Sequence, residues 1–139
     1  MLDTLNFCRE NGYVETILGR RRAIDGVRKP AVQAGNLFNR QAQPLQLNLP
    51  ERTAVNTVIQ GSAADIIKLA MLHIHRRLKS EGLESKMILQ VHDELVFDCP
   101  EVELETLTNL VRDEMQSALL LHVPLQVDIN TGATWAECH

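Results

Sequence analysis

Apolar and polar positions along the chain change period several times, and each change marks an element. Residues 3–11 read as one short helix or the tail of a longer one, stopped by Asn11-Gly12. Tyr13-Val14-Glu15-Thr16-Ile17-Leu18 alternates and is β-branched, which predicts a strand. Gly19-Arg20-Arg21-Arg22 follows as a basic turn. Residues 25–50 hold Gly26, Pro30, Gly35, Pro44 and Pro50 and show no period, as expected of a long loop with a helical turn near Ala31–Phe38. From about Glu51, Ile59, Ala63, Ile66, Ile67, Ala70, Met71, Ile74 and Leu78 recur at helical spacing. Pro50 sits in the first turn, where its missing N–H costs little.

Gly61 interrupts this helix at a cost of roughly 1 kcal/mol relative to alanine. Two readings stay open: the helix breaks there and Ser62 and Asp65 re-cap it, or another backbone passes close by. Next, Met87-Ile88-Leu89-Gln90-Val91 and Leu95-Val96-Phe97 flank the polar triplet His92-Asp93-Glu94, the pattern of a β-hairpin with its charges at the tip. Glu101 to about His122 predicts a second helix with Leu104, Leu107, Leu110, Val111, Met115 and Leu119 inward. Glu101, Glu103 and Glu105 lie near its start, where the helix dipole favours negative charge. Val123–Ile129 reads as a last strand, and Trp135 as an anchor for the tail. Antiparallel strands with helices on one face make an α+β layer.

The 139 residues suffice for one domain with a core. No apolar run approaches the ~20 residues that span a bilayer, and no signal peptide is visible, so a cytoplasmic location and no membrane partner are expected. Cys8, Cys99 and Cys138 are scattered, which suggests free thiols. The net charge of −4 argues against nucleic-acid binding, but its distribution does not. Residues 9–52 carry eight basic groups against four acidic ones, and residues from Thr53 onward carry six against thirteen. A basic front facing phosphate and an acidic back facing water would fit; an arginine run in a solvated loop fits equally.

Three groups of residues bear on chemistry. Asp93 and Glu94 at a rigid tip offer hard oxygen ligands to a divalent cation such as Mg²⁺, although charged turns are common without any ligand. Asn56 and Gln60 are four apart on one helix face. Their amides could donate to the acceptors that every base pair shows in the minor groove, or simply face water. Arg52 lies one turn earlier on the same side and could meet a phosphate.

Taken together, Gly12-Tyr13-Val14-Glu15-Thr16, Gly19-Arg20-Arg21-Arg22, Glu51-Arg52-Thr53-Ala54-Val55-Asn56, Ile59-Gln60-Gly61-Ser62-Ala63-Ala64-Asp65 and Gln90-Val91-His92-Asp93-Glu94 occur in one order. The chain thereby resembles the C-terminal part of the polymerase domain of bacterial DNA polymerase I, a family A DNA polymerase, from about Phe7 to Trp135. The stretch Asp25–Leu49 looks longer than the family pattern.

The resemblance implies a palm-type antiparallel sheet with a catalytic β-hairpin packed against long helices. Residues 1–50 would form the end of the fingers and a basic loop, and residues 51–139 half of the palm. It implies template-directed nucleotidyl transfer in replication and repair, with Asp93 as a catalytic metal ligand and Glu94 beside it. His92 would lie near the primer terminus, Asn56 and Gln60 on the minor groove, and Arg20, Arg21 and Arg22, with Arg52 a looser match, on the DNA backbone. Two Mg²⁺ ions would lower the charge barrier, and the partners would be primer–template DNA and, in the complete enzyme, dNTP. A bacterial, nucleoid-associated setting follows.

The family's other metal-binding aspartate motif and its nucleotide-gripping fingers helix match nothing here. The resemblance therefore reads as a fragment, inactive alone, whose partner would be the missing N-terminal half. The alternative is a non-catalytic truncated product or complementing subunit that binds DNA. A His-Asp phosphohydrolase using His92-Asp93 with His73 or His75 would need the doublet on a helix, whereas here strand-like runs flank it.

Overall fold

The computed structural model describes residues 1–27 and 47–138; the expected helical turn near Ala31–Phe38 lies outside them. The order is α1 (Leu2–Asn11), β1 (Tyr13–Glu15), β2 (Arg21–Ala23), α2 (Leu49–Ser80), β3 (Lys86–Val91), β4 (Glu94–Asp98) and α3 (Leu104–Gln116), with 3-10 turns at Glu101–Glu103 and Trp135–Cys138. The mixture is α+β, as the pattern predicts. The described strands form two separate two-stranded antiparallel sheets, β1–β2 and β3–β4. The chain divides into two compact units, Met1–Ser62 and Ala63–His139.

In the first unit, α1 ends where expected. Gly12 takes the left-handed conformation (φ 76), and its N–H donates to the Cys8 carbonyl at 2.8 Å. That backbone is cheap only for glycine and turns the chain straight into β1. Leu5, Cys8, Val14, Ile24 and Ala54 bury together, with Val55 and Val58 of α2 packed on them. Burial pushes the Cys8 thiol pKa up, against a smaller opposing pull from Arg9. All three cysteines are free thiols.

The start of α2 is built by a reciprocal cap. Asn48 Oδ1 accepts the Glu51 N–H at 2.9 Å, and Glu51 Oε2 accepts the Asn48 N–H at 2.8 Å. Two N–H groups that a helix start leaves unpaired are thus satisfied. The Glu51 carboxylate is only 4% exposed and lies 3.4 Å from Arg9 Nη2. A buried carboxylate is tolerated because it is hydrogen-bonded and charge-paired.

Gly61 does not break α2, which is continuous from Leu49 to Ser80. Something does pass close by, but it is a side chain and not a backbone: a Cβ there would lie 2.6 Å from Thr16 Cγ2. The apolar face of α2 also shifts along its length. Ala70, Ile74 and Leu78 are buried as expected, but Ile59 is 64% exposed. In the first unit the buried stripe is Ala54 with Val55 and Val58, so one continuous face does not run through residues 59–78.

In the second unit, Ala70, Ile74, Leu78, Leu107, Leu110 and Val111 form the core, and Met87, Leu95 and Phe97 of the hairpin pack on it. Before α3, Glu103 accepts the N–H groups of Glu84 and Ser85 at 2.9 Å each and the Ser85 hydroxyl at 2.5 Å. These bonds favour the ionised carboxylate and hold its pKa below the ordinary 4.5. His73 also has a neighbour that its spacing did not reveal: its Nδ1 lies 3.6 Å from Glu114, which Arg77 Nη1 reaches at 3.2 Å.

Two expectations need correction. The second helix ends at Gln116, not near His122, where the Ser117 hydroxyl and N–H both donate to the Asp113 carbonyl. Val123–Ile129 is not a strand. Leu125, Val127 and Ile129 do alternate with exposed neighbours, but a strand also needs a hydrogen-bonded partner, and this segment has none among the described residues.

Candidate nucleic-acid interface and acidic hairpin

Two sites emerge, one in each unit. In the first, Tyr13↔Ala23, Val14↔Arg22 and Glu15↔Arg21 pair across β1–β2. Directly paired residues share a face, and successive residues alternate between faces. Val14 is 1% exposed, so its face is turned into the molecule and carries Arg22 with it. Arg22 Nη1 donates to Thr57 Oγ1 of α2 at 3.1 Å.

The opposite face carries Arg21. Its Nε donates to Glu15 Oε1 at 2.7 Å, and its guanidinium lies 4.7 Å from the centroid of the Tyr13 ring. Tyr13 in turn meets Phe7 edge-on, with centroids 5.5 Å apart. The bond to Glu15 raises the Arg21 pKa further.

The turn between β1 and β2 docks on α2 at Gly61. Arg20 Nη2 donates to the Gly61 carbonyl at 3.1 Å, and the Ile17 N–H donates to Ser62 Oγ at 2.9 Å. Thr16 Oγ1 accepts the Arg20 N–H at 3.1 Å and closes the turn on itself. A groove of about 550 Å³ is left between ribbon and helix, lined by Thr16, Arg20, Arg21, Arg22, Thr53, Asn56, Thr57, Gln60 and Gly61. Five expected residues, Asn56, Gln60 and the three arginines, are thus brought together. Arg52 is exposed on α2 but does not line the groove.

Thr16, Thr53 and Thr57 were not anticipated. The helical spacing 53, 56, 57, 60 was the one signal for Thr53 and Thr57, Thr16 had none, and threonine alone is too common to single out.

In the second unit, β3 and β4 pair antiparallel through Val91↔Glu94, leaving His92 and Asp93 as a two-residue turn. His92 has φ 52, the one non-glycine residue with positive φ among those described. Histidine tolerates that region better than most residues. The Gln90 side-chain amide donates to the His92 carbonyl at 2.6 Å and braces the tip. A register shift between Met87 and Leu89 leaves Ile88 unpaired, the kind of bulge that bends a ribbon.

His92, Asp93 and Glu94 are all exposed at the tip. Asp93 and Glu94 supply oxygen donors of the kind Mg²⁺ takes. Among the described residues no three His, Cys, Asp or Glu side chains converge on one point. The tip thus fits a cation that takes its remaining ligands elsewhere, from water or phosphate oxygens.

An open acidic hairpin and a basic groove rimmed with amides suit a protein that handles phosphates and nucleic acid. The comparisons narrow this class. The polymerase domain of Pol1 from M. smegmatis, solved in complex with DNA primer–template and dNTP, has a similar fold. The TM-score is 0.78 with 42% identity, over 99% of this chain and 22% of that one. DNA polymerase I of Bacillus subtilis is 44% identical over 137 residues, 99% of this chain and 14% of that protein. DNA polymerase I of Chloroflexus aurantiacus is 41% identical over 135 residues, 96% of this chain and 13% of that protein.

The model of DNA polymerase family A matches residues 1–137, and the chain belongs to that family. It spans only about one seventh of the length of these curated relatives. Among the described residues no helix is long and apolar enough to cross a membrane.

Proposed function

We propose that this chain is the C-terminal part of a DNA-directed DNA polymerase, serving template-directed nucleotidyl transfer in replication and repair. Residues 1–50 belong to the end of the fingers and residues 51–139 to half of the palm. The observation that carries this reading is the exposed His92-Asp93-Glu94 turn, braced at the tip of a hairpin in a chain of family A. Its similar solved structure is described as holding primer–template and dNTP. Exposure supports the role, because a carboxylate that meets a cation and phosphates must open onto a surface.

Asp93 is the principal metal ligand and Glu94 its neighbour. Mg²⁺ held there would neutralise charge developing on the transferred phosphoryl group. Phosphoryl transfer depends mostly on positioning and electrostatics, and the remaining residues fit such work. His92 stands beside the carboxylates, where it would meet the primer terminus. Asn56 and Gln60 offer amide donors to purine N3 and pyrimidine O2, acceptors common to all base pairs, and so test pair shape rather than sequence. The groove arginines attract the backbone.

The tip supplies one of the two carboxylate sites that a two-metal mechanism uses, and the family's other aspartate motif matches no residue here. The isolated 139-residue chain is therefore expected not to extend primers, and its partner is the preceding part of the polymerase.

Primer extension tests both statements. In the polymerase domain that contains this chain, Asp93→Ala abolishes extension while primer–template affinity changes little. Near-normal turnover in that variant removes Asp93 from the metal site. Extension by the 139-residue chain alone, with Mg²⁺ and four dNTPs, would refute the claim that it needs a partner.

A further inference from the structure

The arginine triplet reads as one basic turn in sequence, but its members have different neighbours. Arg21 lies on the face of Tyr13 and Glu15, 2.7 Å from a carboxylate and stacked on a ring. Its charge is already matched within the ribbon. Arg20 is tied to the Gly61 carbonyl at the docking point of the turn. Arg22 sits on the Val14 face, exposed, with its Nη1 on the neutral Thr57 hydroxyl and no ion pair among the described residues. Its anchor Thr57 is next to Asn56 and three residues before Gln60 on α2, and all four line the same groove.

We infer that Arg22, not Arg21, makes the phosphate contact of this turn. Arg22 would meet the backbone of the strand whose base edges face Asn56 and Gln60, and Arg21 would be a positioning residue that stiffens the ribbon through Glu15 and Tyr13. This assignment rests on the reading of the groove as a primer–template surface. The physical basis is the partner of each guanidinium: residues 21 and 22 leave β2 on opposite faces, and although both line the groove, Arg21 is paired with the Glu15 carboxylate and Arg22 with a neutral hydroxyl. A guanidinium bound to Thr57 keeps its full charge and its remaining N–H donors for an anion. One bound to a carboxylate would have to give up that ion pair first.

Counterion release separates the two roles. Each phosphate neutralised on duplex DNA adds about 0.9 to the slope of log affinity against log salt. A fluorescent primer–template duplex is titrated with the protein between about 50 and 200 mM KCl. The matched variants Arg21→Gln and Arg22→Gln both remove a charge and keep an amide donor, and Arg22→Lys restores a charge. Arg22→Gln is expected to lower the slope by about 0.9. Arg22→Lys restores it, and Arg21→Gln leaves it at the wild-type value whatever its effect on affinity.

An equal fall in slope for Arg21→Gln, or an unchanged slope for Arg22→Gln, overturns the assignment. Wild-type protein whose binding does not depend on salt would overturn the DNA reading of the groove itself, a different failure that is visible before any variant is made.

Discussion

Gly61→Ala should destabilise the first unit even though alanine is the better helix former. In an open helix the exchange gains about 1 kcal/mol. Here the new Cβ would lie 2.6 Å from Thr16 Cγ2, well inside the ~3.5–4.0 Å at which carbon atoms attract. Relief requires the β1–β2 turn to lift off α2, and that turn is held by the Arg20–Gly61 and Ile17–Ser62 hydrogen bonds. Overpacking of this kind costs about 1–3 kcal/mol, so the net effect is a loss of roughly 0–2 kcal/mol.

Thr16→Ser supplies the control. It deletes Cγ2 and keeps the hydroxyl that accepts the Arg20 N–H. The nearest remaining atoms to the new methyl are Arg20 Nη2 at 3.6 Å and Thr16 Cβ at 3.9 Å, both ordinary contacts. Thr16→Ser alone loses about 0.8 kcal/mol for one buried methyl. In that background, Gly61→Ala should turn stabilising by up to about 1 kcal/mol.

Denaturant titration of the four proteins, followed by helix signal, measures the coupling, expected at about 1–3 kcal/mol. If Gly61→Ala shifts the unfolding free energy equally in both backgrounds, the contact with Thr16 is not what constrains this position.

Asn48→Ala removes one half of the reciprocal cap on α2 and should cost about 1 kcal/mol in thermal or denaturant unfolding, whereas Asn48→Ser should be nearly neutral. Glu103→Gln should flatten the acid limb of stability. The Glu103 pKa is lower in the folded state than its ordinary 4.5, so its contribution is present above about pH 4.5 and is lost as pH falls through the folded value. Unfolding curves for wild type and variant should therefore converge in acid and separate above that range; parallel curves at all pH values would contradict this. At the hairpin tip, positive φ predicts that His92→Val costs about 1–2 kcal/mol, while His92→Asn is close to neutral; thermal melts decide between them.

Much of the candidate site was legible from residues alone. A hairpin with its tip at the triplet His92-Asp93-Glu94 follows from two β-prone runs with a polar gap between them, a purely local pattern; that Glu94 pairs with Val91 and leaves a two-residue turn does not. The shared face of Asn56 and Gln60 follows from helical period, which needs no tertiary contact. Gly61 signalled that something approaches α2, since a mid-helix glycine sacrifices stability, but it could not say what. Thr16 supplies that answer from 45 residues away in the chain.

β2 stayed hidden because three consecutive arginines carry no alternation to read. Only the register of the ribbon puts Arg22 opposite Val14 and Arg21 opposite Glu15. The converse case is Val123–Ile129, which has the alternation of a strand and no ladder. The chain's own pattern determined that helices and turns form and roughly where, because that depends on residues within a turn or two of each other, but not the end of α3 at Gln116 or the exposure of Ile59. Strand partners, parity and the neighbour of each charged group were left to the tertiary structure, because each is a relation between segments that local sequence does not encode.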